Sequence, residues 1–151
     1  MTARTTLPIL IADDDPDDRE LARDALSASR LLNPIHFVKD GVELLEFLQR
    51  RGAWIASETP RPGVILIDLN MPRMDGREAI AEIKRDPALR QIPIVVLTTS
   101  KAEEDIYRTY DLGVSSYVVK PVTFQALVDV MVDLGRYWFE LVELPEAGVA
   151  A

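Results

Sequence analysis

Chemistry in this chain concentrates where apolar runs give way to polar groups. Pro8-Ile9-Leu10-Ile11-Ala12 ends in Asp13-Asp14-Asp15, with Asp17 and Asp18 just beyond; Val64 to Ile67 ends at Asp68, with Asn70 two residues on. Ile94 to Leu97 ends in Thr98-Thr99-Ser100, and Ser116 to Val119 ends in Lys120-Pro121. Five acids within the six positions 13 to 18 repel one another unless something cationic sits among them. Carboxylates of this kind suit a hard divalent cation, and magnesium takes one or two of them while keeping positions for water and phosphate oxygens. A lysine among them binds phosphate as a point charge. An aspartate beside a hydroxyl and an ammonium suits phosphoryl transfer onto a carboxylate, where catalysis is mostly positioning and charge neutralisation.

The runs themselves say how these groups are positioned. Short stretches of aliphatic and β-branched residues read as strands buried on both faces of a parallel sheet, and open α/β sheets place their ligands at the carboxyl ends of such strands. Ile35-His36-Phe37-Val38 reads as a shorter edge strand. Between the strands lie helix starts. Asp17 with Glu20 is predicted to cap a helix carrying Leu21, Ala22, Ala25 and Leu26, and Asp40 with Glu43 caps one carrying Leu44, Leu45 and Leu48. Asp75 with Glu78 precedes the stripe Ala79, Ile80, Ile83, Ser100 with Glu103 forms a capping box, and Thr123 can cap the last helix. Five strands alternating with five helices predict a doubly wound α/β fold.

Three features fall outside this alternation. His36, the single histidine, lies mid-strand and away from the acidic edge, as a structural residue would. Arg50 to Arg61 is long for a helix-to-strand connection and carries Trp54 and Ile55, which either pack on the domain or serve recognition. The last helix is unusually apolar, with one stripe of Phe124, Leu127, Met131, Leu134, Trp138 and Leu141 and a second of Val130, Tyr137 and Leu144. One stripe is core; the second calls for the tail or a partner subunit to cover it. Leu144-Pro145 is expected to end this helix, leaving residues 1–6 and 145–151 as tails around one domain over residues 7–144.

Composition narrows the function classes. A chain of 151 residues suits one domain with a core of its own, and the lack of cysteine excludes disulfides and thiolate metal sites. No apolar run approaches the ~20 residues that span a bilayer, and Met1 to Thr6 is too short and polar for a signal peptide, so a cytoplasmic protein is expected. A formal charge of −8 argues against a nucleic-acid surface and fits protein partners or cations.

The combination Ile-Ala-Asp-Asp, Ile-Asp-Leu-Asn-Met-Pro-Arg-Met-Asp-Gly, Leu-Thr-Thr-Ser and Tyr-Val-Val-Lys-Pro resembles the response regulator receiver domains of two-component signalling, over about Leu7 to Leu134. The resemblance implies a flavodoxin-like (βα)5 fold with strand order 2-1-3-4-5 and an extended C-terminal helix. It implies Asp68 as phosphoacceptor and Mg2+ held by Asp14, Asp68 and the Asn70 carbonyl, with Asp13 acting through water. Thr98 and Lys120 would bind phosphoryl oxygens, a cis bond would precede Pro121, and Tyr117 would swing inward as Thr98 moves. Tyr117 reads equally well as a half-buried edge aromatic. Enzyme activity would be limited to the domain's own phosphoryl acceptance and autodephosphorylation.

The long loop, the Leu97-to-Ile106 run and the Tyr137-Trp138-Phe139 ending resemble the single-domain regulators of bacterial phytochrome histidine kinases. Those dimerise through the fourth helix, fifth strand and fifth helix, which implies an interface of Ile106, Tyr110, Val130, Leu134, Tyr137, Trp138 and Leu141. A sensor histidine kinase and a downstream protein are the implied partners, and a relay for another sensor kinase is the alternative. A phosphatase of the haloacid dehalogenase type uses a similar site but needs a general acid two residues after its nucleophile, where this chain has Asn70. A scaffold without phosphoryl chemistry needs a broken acidic site, and this one is complete.

Overall fold

The structure, a computed structural model, describes residues 7–56 and 59–145. Five strands, β1 (Ile9–Ala12), β2 (Ile35–Val38), β3 (Val64–Ile67), β4 (Ile94–Thr98) and β5 (Ser116–Val119), alternate with α1 (Pro16–Ala28), α2 (Gly41–Gln49), α3 (Gly76–Arg85), α4 (Glu103–Leu112) and α5 (Phe124–Arg136). They form one sheet in the order β2-β1-β3-β4-β5, with every pairing parallel. This is the flavodoxin-like receiver arrangement expected from the sequence.

Alternate residues of each strand face opposite sides, and the core divides accordingly. Leu10, Ala12, Ile65, Ile67 and Val96 pack with Leu44, Phe47, Ala79, Ile80 and Ile83 of α2 and α3. Ile9, Ile11, Val64, Leu66, Val95 and Leu97 pack with Ala25 and Leu26 of α1 and Val128 and Met131 of α5. β1, β3 and β4 are buried along their whole lengths, whereas β5 is half-buried.

Asp40, Asp75 and Thr123 cap α2, α3 and α5 as predicted, accepting from the N–H groups of Glu43, Glu78 and Ala126. Two predicted caps are corrected. Asp15, not Asp17, caps α1 and accepts from the Asp17 N–H, because Pro16 starts the helix, where its missing N–H costs nothing. Ser100 does not cap α4, which begins at Glu103 after Ala102 with no side-chain cap; the Ser100 hydroxyl is engaged by Asp105 instead. The long connection after α2 contains a 3-10 turn, Gly52–Trp54. Its Trp54 packs edge-on against Phe47 at 4.6 Å and against His36 at 6.4 Å, so the aromatic belongs to the domain's own packing.

The last helix also departs from expectation. After Arg136 the chain takes a π-helical turn, Tyr137–Leu141, and Val142 is already extended, so the helix stops short of Leu144. Trp138 and Phe139 are both buried, at 9% and 7% exposure, against the sheet face that carries Val64 and Leu66. Trp138 is a core residue, as its place in the first apolar stripe implies, and its expected part in an interface is corrected; Leu144 packs at the edge of the same core. Of the expected tails at 1–6 and 145–151, all but Pro145 lie outside the described residues.

Trp138→Ala is expected to remove about 3–5 kcal/mol of stability, read as a urea-midpoint shift independent of protein concentration. A loss under about 1 kcal/mol, or one that grows on dilution, would place the indole in an interface instead.

Candidate functional site

Register brings the singled-out side chains together. Ala12 pairs with Ile67, so Asp13 and Asp68 follow at adjacent strand ends, and Thr98 pairs with Val119, so Lys120 follows beside it. The Lys120 N–H donates to the Thr98 carbonyl at 2.7 Å, which carries the β5 backbone past the end of β4. The Lys120 ammonium then donates to Asp13 Oδ2 at 2.7 Å, Asp18 Oδ2 at 2.9 Å and Asp68 Oδ2 at 3.0 Å. The other oxygen of Asp68 accepts from the Thr98 hydroxyl at 2.8 Å. Asp13 Oδ1 accepts from the Asp15 N–H at 3.0 Å, and Arg19 of α1 donates to the Asp13 carbonyl at 2.8 Å.

Asp13 is buried, Asp14 is exposed, and carboxylate oxygens of Asp13, Asp14 and Asp68 lie within 4.8 Å of one another. Three oxygen donors at such spacing fit a hard divalent cation. The charges lean the same way. Burial pushes the Asp13 carboxyl up and the nearby Asp68 charge adds to it, against the lowering effect of Lys120. Burial alone would lower the Lys120 ammonium, but its hydrogen bonds to Asp13 and Asp18 and the charges of Asp13 and Asp68 outweigh this and raise it. The lysine is therefore held charged while the carboxylates around it remain in excess.

The loop after β3 is fixed from two sides. Gly76 passes so close that a Cβ there would stand 2.4 Å from the Asp68 carbonyl oxygen, so only glycine lets α3 start against the strand end. Arg73, in the left-handed region at φ 63°, donates to both oxygens of Asp40, at 2.9 and 3.2 Å, and ties the loop to the start of α2. Asn70 is exposed at the top of this loop, and its N–H lies 3.4 Å from Asp68 Oδ1.

Beside the site, the loop between β4 and α4 is held at Ser100. Tyr117 is half-buried and its hydroxyl donates to the Ser100 carbonyl at 3.0 Å, while the Ser100 hydroxyl donates to Asp105 Oδ2 at 2.8 Å. Arg77 of α3 grips Asp105 with two hydrogen bonds of 2.7 Å. Three of these groups, Asp18, Arg77 and Asp105, escape sequence reasoning. Asp18 is one acid in a run, and nothing in the run distinguishes it; Arg77 and Asp105 are 28 residues apart on two helices whose packing no local pattern reveals.

The expected cis bond before Pro121 is corrected: no cis peptide occurs among the described residues. The trans form is the intrinsically favoured one, and with it Lys120 still reaches all three carboxylates. His36 sits mid-strand beside Phe47 and Trp54, its pKa lowered by burial, and it is no part of this site. Of the expected interface residues, Tyr110, Tyr137 and Leu141 are exposed and Ile106, Val130 and Leu134 half-buried.

Residues 9–132 match the model of the response regulator receiver domain. The chain belongs to the response regulator receiver family. The receiver is 39% identical over 139 residues to Response regulator Rcp1 of Synechocystis sp., covering 92% of this chain and 93% of that protein. It is similar to a crystal structure of the phosphorylated cyanobacterial phytochrome response regulator RcpA, with 37% identity, a TM-score of 0.86, and coverage of 93% of this chain and 99% of that one. A crystal structure of the Mn2+-bound form of Rcp1 matches with 38% identity and a TM-score of 0.83, covering 92% and 99%. The receiver thus spans nearly the whole of these relatives and is a response regulator related to them.

The Arg77 hydrogen bonds hold the Asp105 carboxyl below the usual carboxylate range, against a smaller opposing effect of burial. A depressed folded-state pKa means a contribution to stability that is present above the ordinary aspartate value of 3.8 and is lost as pH falls through the lower folded value. The urea-midpoint gap between wild type and Asp105→Asn should be widest near neutral pH and close in acid. A gap unchanged down to about pH 2 would contradict the pairing.

Proposed function

We propose that the receiver accepts a phosphoryl group on Asp68 from a phosphohistidine of a sensor histidine kinase and passes the signal on as a change in protein contacts. The observation that carries this reading is the environment of Asp68. One carboxylate oxygen meets the Thr98 hydroxyl, the other meets Lys120, and two further acids stand alongside. An oxygen of Asp68 attacks phosphorus while the bond from phosphorus to the imidazole nitrogen breaks. The electron pair stays on that nitrogen. Thr98 and Lys120 then bond phosphoryl oxygens, the hydroxyl by donation and the ammonium by charge as well.

Asp13, Asp14, Asp68 and the Asn70 carbonyl would hold Mg2+, which when bound supplies charge neutralisation at the phosphoryl oxygens. The Mn2+-bound relative supports a divalent cation in a receiver of this type. The relation to RcpA supports a kinase of the phytochrome type as donor. The domain folds over residues 7–144 and acts in the cytoplasm. Its catalysis extends only to its own phosphorylation and autodephosphorylation.

The output is a face. Phosphorylation adds roughly −1.5 to −2 charges and three acceptor oxygens, and pulls Thr98 toward them, with Tyr117 following. The surface of α4, β5 and α5, with Ile106, Tyr110, Val130, Leu134, Tyr137 and Leu141, is where homodimerisation or docking of a downstream protein responds. Trp138 supports that surface from beneath.

Asp68→Asn should abolish label uptake from acetyl phosphate with Mg2+ and leave the free energy of unfolding from urea denaturation within about 1 kcal/mol of wild type. A mutant that still took up label would move the acceptor elsewhere. Sedimentation velocity before and after beryllofluoride reads the output: a shift from monomer to dimer makes assembly the response, and an unchanged dimer assigns the response to a third protein.

A further inference from the structure

Lys120 has no donor to spare. An ammonium carries three N–H groups and no acceptor, and all three are taken, by Asp13 Oδ2 at 2.7 Å, Asp18 Oδ2 at 2.9 Å and Asp68 Oδ2 at 3.0 Å. Asp13 and Asp68 belong to the cluster of acids that suits a divalent cation, which Asp18 does not join. Asp18 reaches in from the first turn of α1 and meets the site through the lysine.

The three carboxylates are not equally bound. The Asp13 side chain is 7% exposed and its second oxygen accepts from the Asp15 N–H, while Asp68 is 12% exposed and its second oxygen accepts from Thr98. Asp18 is 36% exposed, so its carboxylate exchanges the lysine for water at the least cost. An acid in the first turn of a helix also has an ordinary use, because it complements the helix dipole. Asp17 has that use too, in the same turn and with its side chain exposed. What sets Asp18 apart is a bond to a lysine 102 residues away.

A phosphoryl group on Asp68 brings negative oxygens to the same ammonium. Two acceptors of one ammonium stand at most about 6 Å apart, a distance at which like charges in a shielded site repel strongly. The phosphoryl group must displace Asp18 from the lysine or bind against its charge. We propose that Asp18 is a positioning residue that competes with the phosphoryl group for Lys120 and so lowers the affinity of the site for it. This rests on the phosphoacceptor role of Asp68. Asp13 is among the charges that a cation would offset; Asp18 stands outside them and its charge persists.

The test is a fluorine NMR titration of beryllofluoride, with saturating Mg2+, on wild type, Asp18→Asn, Asp18→Ala and Asp17→Asn, with urea midpoints measured alongside. Asp18→Asn keeps the size of the side chain and removes its charge, and Asp18→Ala removes the competing acceptor altogether. Both should bind about fivefold or more tightly than wild type. Asp17→Asn takes the same charge from the same turn and should stay within about twofold. An affinity within about twofold of wild type, or weaker, for either Asp18 variant overturns the competition, and so does an equal gain in Asp17→Asn, which would assign the effect to net charge. An acid that served only its helix would lower the urea midpoint and leave the affinity alone. Should one Asp18 variant fail to fold, the other decides. A wild type with no bound fluorine signal would instead overturn the reading of Asp68 itself.

Discussion

A single ammonium among three carboxylates is the constraint around which this molecule is arranged. Lys120 bonds Asp13, Asp18 and Asp68 from three different parts of the chain, with its side chain only 14% exposed. Removing such charges from water is expensive, and buried ion pairs are weak devices for stability. Their use here is positional. One lysine cannot neutralise three acids, and Asp14 adds a fourth at the rim, so the edge carries an excess of negative charge that favours a cation. Burial is the main reason the Asp13 carboxyl is raised, and the Asp68 charge adds to it.

The sheet makes the arrangement possible because parallel strands all end on the same side. β1, β3 and β4 are buried throughout, which fixes their register: a slip by one residue would exchange the two core layers. With register fixed, Asp13, Asp68, Thr98 and Lys120 arrive within hydrogen-bond reach at one edge. The close passage of Gly76 over the Asp68 carbonyl then lets the following helix begin without pushing β3 aside.

Anchoring is uneven around this rigid centre, and the unevenness matters for signalling. Elements with few buried apolar contacts are the ones that move at low free-energy cost. α4 is such an element. It carries the exposed Tyr107 and Tyr110 on its surface and is joined to the site by Ser100 and Tyr117. A change at Asp68 therefore has a short path of hydrogen bonds to the helix that resists it least.

Much of this was legible in the sequence by itself. The strands were, because aliphatic runs buried on both faces have no other common explanation, and so were Asp13, Asp14, Asp68, Thr98 and Lys120, because each follows directly on such a run. The helix starts at Asp40, Asp75 and Thr123 were readable since a cap is a bond between near neighbours. Tertiary structure alone decided that Asp18 joins Lys120, that Arg77 meets Asp105, and that Trp138 faces the core rather than a partner. The physical reason is common to all three. Periodicity and capping are set by interactions a few residues apart, whereas these pairings depend on where packed helices come to lie, and an apolar stripe announces that it will be covered without saying by what.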